Sequence, residues 1–165
     1  MADGRTLIFM GDGRGKSAAA LGTAVRRASR GGHVVVIQFL KARDFVESAF
    51  TERLEPEIKF FRFERSDDDY LERTREEQEE DAVNIKSGLM FAKKVLATRM
   101  CDLLILDEVV EVVNKGIISA AELRDTVESR GETDIILTGC GMDTELCSLA
   151  DEVIRISRAD PADLV

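Results

Sequence analysis

An α/β fold with a mostly parallel central sheet flanked by helices is what this sequence predicts, and three observations carry the prediction. A glycine-rich loop, Gly11-Asp12-Gly13-Arg14-Gly15-Lys16-Ser17, lies directly between the apolar run Leu7 to Met10 and a helix-like run. Val34-Val35-Val36-Ile37 is continuously apolar, as expected of a strand covered on both faces. Asp102 to Val109 reads as a third buried strand and delivers two carboxylates, Asp107 and Glu108, at its carboxyl end. Strands of this type alternating with helical segments build parallel sheets.

Taken in order, residues 5–10 form the first strand and residues 16–30 a helix burying Ala18, Leu21, Ala24, Val25 and Ala28. Gly31-Gly32 stops that helix. Residues 33–40 follow as a strand, with His33, the only histidine, at its surface lead-in. Residues 41–57 read as a loop holding a short helix over 45–54. Because that loop follows the carboxyl end of a strand, where open parallel sheets bind ligands, Gln38, Phe39 and Lys41 are candidates for a substrate wall. Strand-end packing is the alternative for Phe39.

Ile58 to Phe63 is a short aromatic-rich strand, and Ser66-Asp67-Asp68-Asp69 suits a helix start. The acidic run Glu76 to Asp81 reads as a solvated helix face, while Ala82, Ile85, Leu89, Ala92 and Leu96 form a stripe that packs on the sheet. Ser119 with Glu122 makes a capping box, and Gly131 ends the helix it starts. Residues 133–138 form another buried strand, and Gly139-Cys140-Gly141 turns the chain at the same sheet edge. A short helix over 144–150 and a strand over 153–156 complete the pattern.

Composition bounds what this fold does. A chain of 165 residues that is 44% hydrophobic is most simply one domain over 1–165, with a core needing no metal or disulfide. A net charge of −9 argues against nucleic acid as the main partner. Cys101, Cys140 and Cys147 are an odd set without metal-site spacing, which predicts reduced thiols in a cytoplasm. The apolar run after Arg5 is too short for a secretory core, and no run is long enough for a membrane span.

The glycine-rich loop predicts phosphate binding. Its glycines let the backbone curl around an anion, Lys16 adds a mobile positive charge, and Ser17 offers a hydroxyl to a magnesium ion. The helix that follows aims its positive end at the phosphates. The common pattern puts four residues between its first glycine and the Gly-Lys pair, and Met10 occupies that place here, so the loop is one residue short. In such a protein an acidic pair beside the loop holds magnesium, and spacing alone does not divide that role between Asp107 and Glu108.

The short loop, the helix Ala18-Ala19-Ala20-Leu21-Gly22-Thr23-Ala24-Val25-Arg26, the strand end Val36-Ile37-Gln38-Phe39-Leu40-Lys41 and Leu104-Ile105-Leu106-Asp107-Glu108 together resemble the phosphate-loop ATP:corrinoid adenosyltransferases. Ile135-Ile136-Leu137-Thr138-Gly139 and Leu149-Ala150-Asp151-Glu152-Val153 resemble the family's closing elements. The resemblance implies a RecA-like sheet that moves the 5′-deoxyadenosyl group of ATP to cob(I)alamin or cob(I)yrinic acid a,c-diamide and releases triphosphate. By matching positions, Gly11, Asp12, Gly13, Arg14, Gly15, Lys16, Ser17 and Ala18 cradle phosphates, Lys16 and Arg26 neutralise charge, and Ser17 with Glu108 holds magnesium. Gln38, Phe39, Lys41 and Phe63 face the corrinoid. A reduced corrinoid, an electron-donor protein and a second copy of the chain are the partners this implies.

Three departures from the family pattern stand out. The family's Phe-x-Trp segment has no counterpart, since the chain has no tryptophan, leaving Phe63 or Tyr70 as stand-ins. Thr138-Gly139-Cys140 replaces Thr-Gly-Arg, and Asp160 to Val165 does not match the family's terminal segment rich in Lys, His and Phe. Two other readings therefore stay open beside adenosyl transfer. One is a phosphate-loop ATPase or phosphotransferase, which would yield phosphate or ADP. The other is a nucleotide-binding regulator without corrinoid turnover.

Overall fold

The computed structural model describes residues 3–12, 15–40, 49–63, 72–141 and 144–164. Among them, strands β1 (Thr6–Met10), β2 (Val34–Gln38), β3 (Ile58–Arg62), β4 (Leu103–Asp107), β5 (Asp134–Gly139) and β6 (Glu152–Arg155) form one sheet in the order β3-β2-β4-β5-β1-β6. Every pairing is parallel, so all six carboxyl ends meet at one edge. Helices α1 (Gly15–Ala28), α2 (Ala49–Glu52), α3 (Arg75–Ala97), α4 (Val109–Asn114), α5 (Ala120–Glu128) and α6 (Thr144–Cys147) connect and cover them, and a short 3-10 helix spans Pro161–Leu164.

Strand alternation divides the core in two. On one face Phe9, Val34, Val36, Ile58, Leu103, Ile105 and Ile136 meet Ala20 and Ala24 of α1. On the other, Ile8, Val35, Ile37, Leu104, Leu106, Ile135 and Leu137 meet α3, α4 and α5. Each fully buried Ile or Leu stabilises the fold by about 1.5–3 kcal/mol, which explains why β2, β4 and β5 tolerate almost no polar residue except at their ends.

The predicted strands and the 119–131 helix are present, the first four strands and the helix with shorter bounds and β5 and β6 displaced by one residue. Ser119 and Glu122 make the capping box in both directions, and His33 lies exposed at the start of β2. Its N–H donates to Asp102 Oδ2 and its carbonyl accepts from Asp102 and Leu103, tying the starts of β2 and β4 together.

Three expectations need correction, and a fourth falls on residues outside those described. The buried side of α1 carries Ala20 and Ala24, whereas Ala18 is exposed and Val25 nearly half so. The long helix begins at Arg75 behind a second capping box, Thr74 with Glu77, while the helix start read at Ser66-Asp67-Asp68-Asp69 lies outside the described residues. Asp81 does not belong to a solvated face, being buried in an ion pair with Arg73. Helix α4 went unread because its valines continue the apolar run of β4 without a stop signal.

Candidate nucleotide site

Lys16 stands at the first turn of α1 and is 4% exposed. Its Nζ reaches back across the loop to donate to the Gly11 carbonyl at 2.8 Å and to Cys140 Sγ at 3.4 Å. The loop starts tightly against β6: Ile156 N–H donates to the Met10 carbonyl at 2.7 Å, and a Cβ on Gly11 would lie 1.7 Å from the Ile156 carbonyl oxygen. With φ at +144° as well, position 11 accepts glycine alone. Gly13 and Arg14, like Lys41 and Tyr70, lie outside the described residues. Asp12 and Gly15 flank that gap, a Cβ on Gly15 would lie 2.8 Å from Ile156 Cγ2, and the exposed Ala18 completes the first turn of α1.

Beside the loop, Ser17 Oγ donates to Asp107 Oδ1 at 2.8 Å and Thr138 Oγ1 donates to the same oxygen at 2.7 Å. Thr138 also accepts the Glu108 N–H at 2.9 Å. One buried threonine therefore joins the end of β5 to Asp107, the last residue of β4, and to Glu108, the residue after it. Asp107 is 3% exposed and engaged within the protein, whereas Glu108 is half-buried and its side chain makes no capping bond to α4. Burial pushes the Glu108 carboxyl above its ordinary range; the Asp107 charge adds to this and Lys16 opposes it. From α4, Asn114 Nδ2 donates to the Cys140 carbonyl at 2.8 Å and so holds the turn that carries the thiol.

These oxygens suit magnesium. That ion is commonly held by one or two carboxylates together with a hydroxyl and substrate phosphates, and it needs no protein cage. Among the described residues no group of three His, Cys, Asp or Glu side chains is arranged to hold a metal ion by itself.

The structure separates the other candidates. Gln38 is buried on the α1 face, lining a narrow cleft with Ser17, Asp107, Val36 and Phe60. Its neighbour Phe39 points the opposite way and is fully buried in the core beside Gly88, so it is a packing residue and not a substrate wall. Phe63 is half-buried on that same side, its ring 5.8 Å from that of Phe91.

Arg26 is not brought to the loop. It follows Lys16 by ten positions, roughly 15 Å along the helix axis. There it lines a cavity of about 690 Å³ with Thr23, Arg27, Arg30 and Asp102, at the opposite edge of the sheet. Arg26 therefore stands too far along α1 to neutralise charge at this chain's own loop. Thr138 and Asn114 were missed. A hydroxyl residue ending an apolar strand, as Thr138 does, was the available signal; for Asn114 there was none, because α4 itself was unread.

A family model described as ATP:corrinoid adenosyltransferase BtuR/CobO/CobP matches residues 2–160. The corrinoid adenosyltransferase CobA of Salmonella typhimurium is 29% identical over 154 residues, covering 93% of this chain and 76% of that protein. A corrinoid adenosyltransferase of Pseudomonas aeruginosa is 26% identical over 162 residues, covering 93% and 75%. Among solved structures, a KaiC-like protein from Pyrococcus horikoshii is similar with a TM-score of 0.65 at 16% identity, over 98% of this chain and 74% of that one. That likeness shows the fold, which is RecA-like. No helix among the described residues is long and apolar enough to cross a membrane.

Proposed function

The chain belongs to the ATP:corrinoid adenosyltransferase family, and from that premise we propose that it transfers the 5′-deoxyadenosyl group of ATP to a reduced corrinoid and releases triphosphate. The observation that carries this reading is the meeting of Lys16, Ser17 and Asp107 at the amino end of α1, beside Glu108.

The reduced cobalt of the corrinoid is the nucleophile of the reaction, so the protein's task is to hold ATP and stabilise its leaving group. A cobalt–carbon bond forms as the bond between C5′ and O5′ breaks, and the electron pair departs with the triphosphate. The amides at the start of α1 and the Lys16 ammonium face that growing negative charge. Lys16 must leave the Gly11 carbonyl to do so, and the contact with Cys140 keeps it within the loop meanwhile. Thr138 holds Asp107, which in turn accepts the hydrogen bond of the Ser17 hydroxyl, so that the Ser17 oxygen keeps its lone pairs for a cation. Ser17 and Glu108 would hold magnesium, which supplies charge neutralisation on the phosphates. Fixed donors of this kind need no reorganisation at the moment of reaction.

The deciding experiment is anaerobic. Protein, magnesium ATP and chemically reduced corrinoid are mixed, and loss of the cob(I) absorbance is followed together with triphosphate release. Coupled signals that vanish in Lys16→Ala support adenosyl transfer. Phosphate or ADP in place of triphosphate would replace it with hydrolysis or phosphoryl transfer. ATP binding without either product would leave a nucleotide-dependent regulator.

A further inference from the structure

The sheet register assembles a polar row that runs away from the nucleotide site. Gln38 of β2 is paired in register with Asp107 of β4 on one side and with Arg62 of β3 on the other. Alternation sends all three toward the α1 face, since Val36, Phe60 and Ile105, two positions earlier on each strand, belong to the core beneath α1. The row thus starts at Ser17, which is bonded to Asp107, passes Gln38, and ends in a guanidinium. Neighbouring strands lie about 4.8 Å apart, so the Arg62 and Asp107 backbones are separated by roughly 10 Å, with Gln38 between them on the same face.

Charge makes the placement informative. A nucleoside triphosphate brings several negative charges to a site that already holds Asp107 and Glu108. Lys16 answers one of them. Arg26 sits at the far end of α1, and the residue that follows Thr138-Gly139 and accepts from Lys16 is a cysteine, Cys140, and not a cation. Among the described residues, Arg62 is the one cation whose strand position puts it in that row.

We propose that Arg62 contacts the phosphate chain of the bound nucleotide and, with Gln38, holds it against the Ser17 and Asp107 end of the site. The proposal rests on the nucleotide-binding reading given above. A guanidinium suits this task because its planar fork gives two parallel hydrogen bonds to phosphate oxygens, which an ammonium cannot match.

The test is calorimetric, on the full chain, with magnesium ATP, inorganic triphosphate and adenosine as separate probes of wild type, Arg62→Gln and Arg62→Lys. Arg62→Gln is expected to lose about tenfold or more in affinity for ATP and for triphosphate, the scale of a charged hydrogen bond. Adenosine binding and the thermal midpoint should not move. Arg62→Lys should recover part of the loss, and added salt should narrow the gap between wild type and Arg62→Gln. Equal triphosphate affinity in wild type and Arg62→Gln overturns the proposal, as does a matching loss for adenosine, which marks a structural role. An unchanged ATP affinity with a raised corrinoid KM overturns it in favour of a corrinoid contact. Failure of wild type to bind either ATP or triphosphate would remove the nucleotide reading itself, and the Arg62 assignment with it.

Discussion

Thr138→Val keeps the side-chain shape at a fully buried position and removes one hydroxyl. That hydroxyl donates to Asp107 at 2.7 Å and accepts the Glu108 N–H at 2.9 Å; valine does neither. Asp107 keeps the bond from Ser17, but the Glu108 N–H is left facing a methyl group. A buried donor without an acceptor costs about 1–3 kcal/mol, and loss of a hydrogen bond to a charged group costs about 1.5–3 kcal/mol. With partial relaxation the expected destabilisation is about 3 kcal/mol, a fall of about 6–12 °C in Tm for a protein of this size. Urea unfolding should show a lower midpoint at constant slope. Magnesium ATP should bind more weakly in the same samples, because Ser17 and Glu108 are both less well held. Thr138→Ser, which keeps the hydroxyl, should recover most of both effects. A destabilisation below about 0.5 kcal/mol would refute the reasoning, since it would mean that neither hydrogen bond contributes.

Four further predictions follow from other parts of the molecule. Arg73→Ala leaves Asp81 buried without its ion-pair partner and should cost about 3–5 kcal/mol, part of which Arg73→Ala with Asp81→Ala recovers; equal stability of wild type and single variant in urea would contradict this. Burial pushes the Cys101 thiol up to about 12, so an aromatic disulfide reagent should modify Cys140 and Cys147 first, and magnesium ATP should slow Cys140 alone because of its contact with Lys16. The backbone N–H and hydroxyl groups of Thr74 and Ser119 hold the carboxyls of Glu77 and Glu122 below their ordinary 4.5, so their contribution to stability is present above pH 4.5 and lost as pH falls through the lowered values. Carboxyl-carbon NMR titration should place both midpoints below 4.5. Phe63→Ala should raise the corrinoid KM several-fold and leave ATP affinity unchanged if Phe63 lines the corrinoid side; an effect on stability alone would make it a packing partner of Phe91.

Glycines, apolar runs and caps made most of the fold legible, because each states a local requirement. The continuous run of β2 announced a strand covered on both faces, and Ser119 with Glu122 announced a helix start. The pairing order of the strands is not local, and it is the order that puts Thr138 beside Asp107 and Arg62 beside Gln38. The loop residues were legible for the same local reason as the caps. Arg26 was misplaced because matching positions carry no distance, and ten helical residues take a side chain from one edge of the sheet to the other. Gln38 and Phe39 were named together as a wall, yet consecutive strand residues face opposite sides, so at most one of them can reach any given ligand. The α1 face claims Gln38.

Glu108 shows how the fold divides the acidic pair, which spacing alone left open. β4 ends at Asp107 and α4 begins at Val109, so a single residue must turn the chain from strand to helix. Glu108 does this with φ at +62°, a left-handed conformation that costs a non-glycine residue about 1–2 kcal/mol. Glycine would meet the turn without that cost, but it would bring no carboxylate. The conformation is held from three sides. Val109, Val110 and Val112 are buried, each stabilising by about 1.5–3 kcal/mol, which outweighs the local strain. Gly139 has no Cβ, and a Cβ there would lie 2.5 Å from that of Val110, so the close seat of α4 on β5 depends on it. The Glu108 N–H is bound by Thr138. Two adjacent carboxylates are thereby set apart: Asp107 faces α1 and orients Ser17, while Glu108 makes no capping bond to its own helix, and under the proposed function it is the one that would meet a cation carried in on the nucleotide.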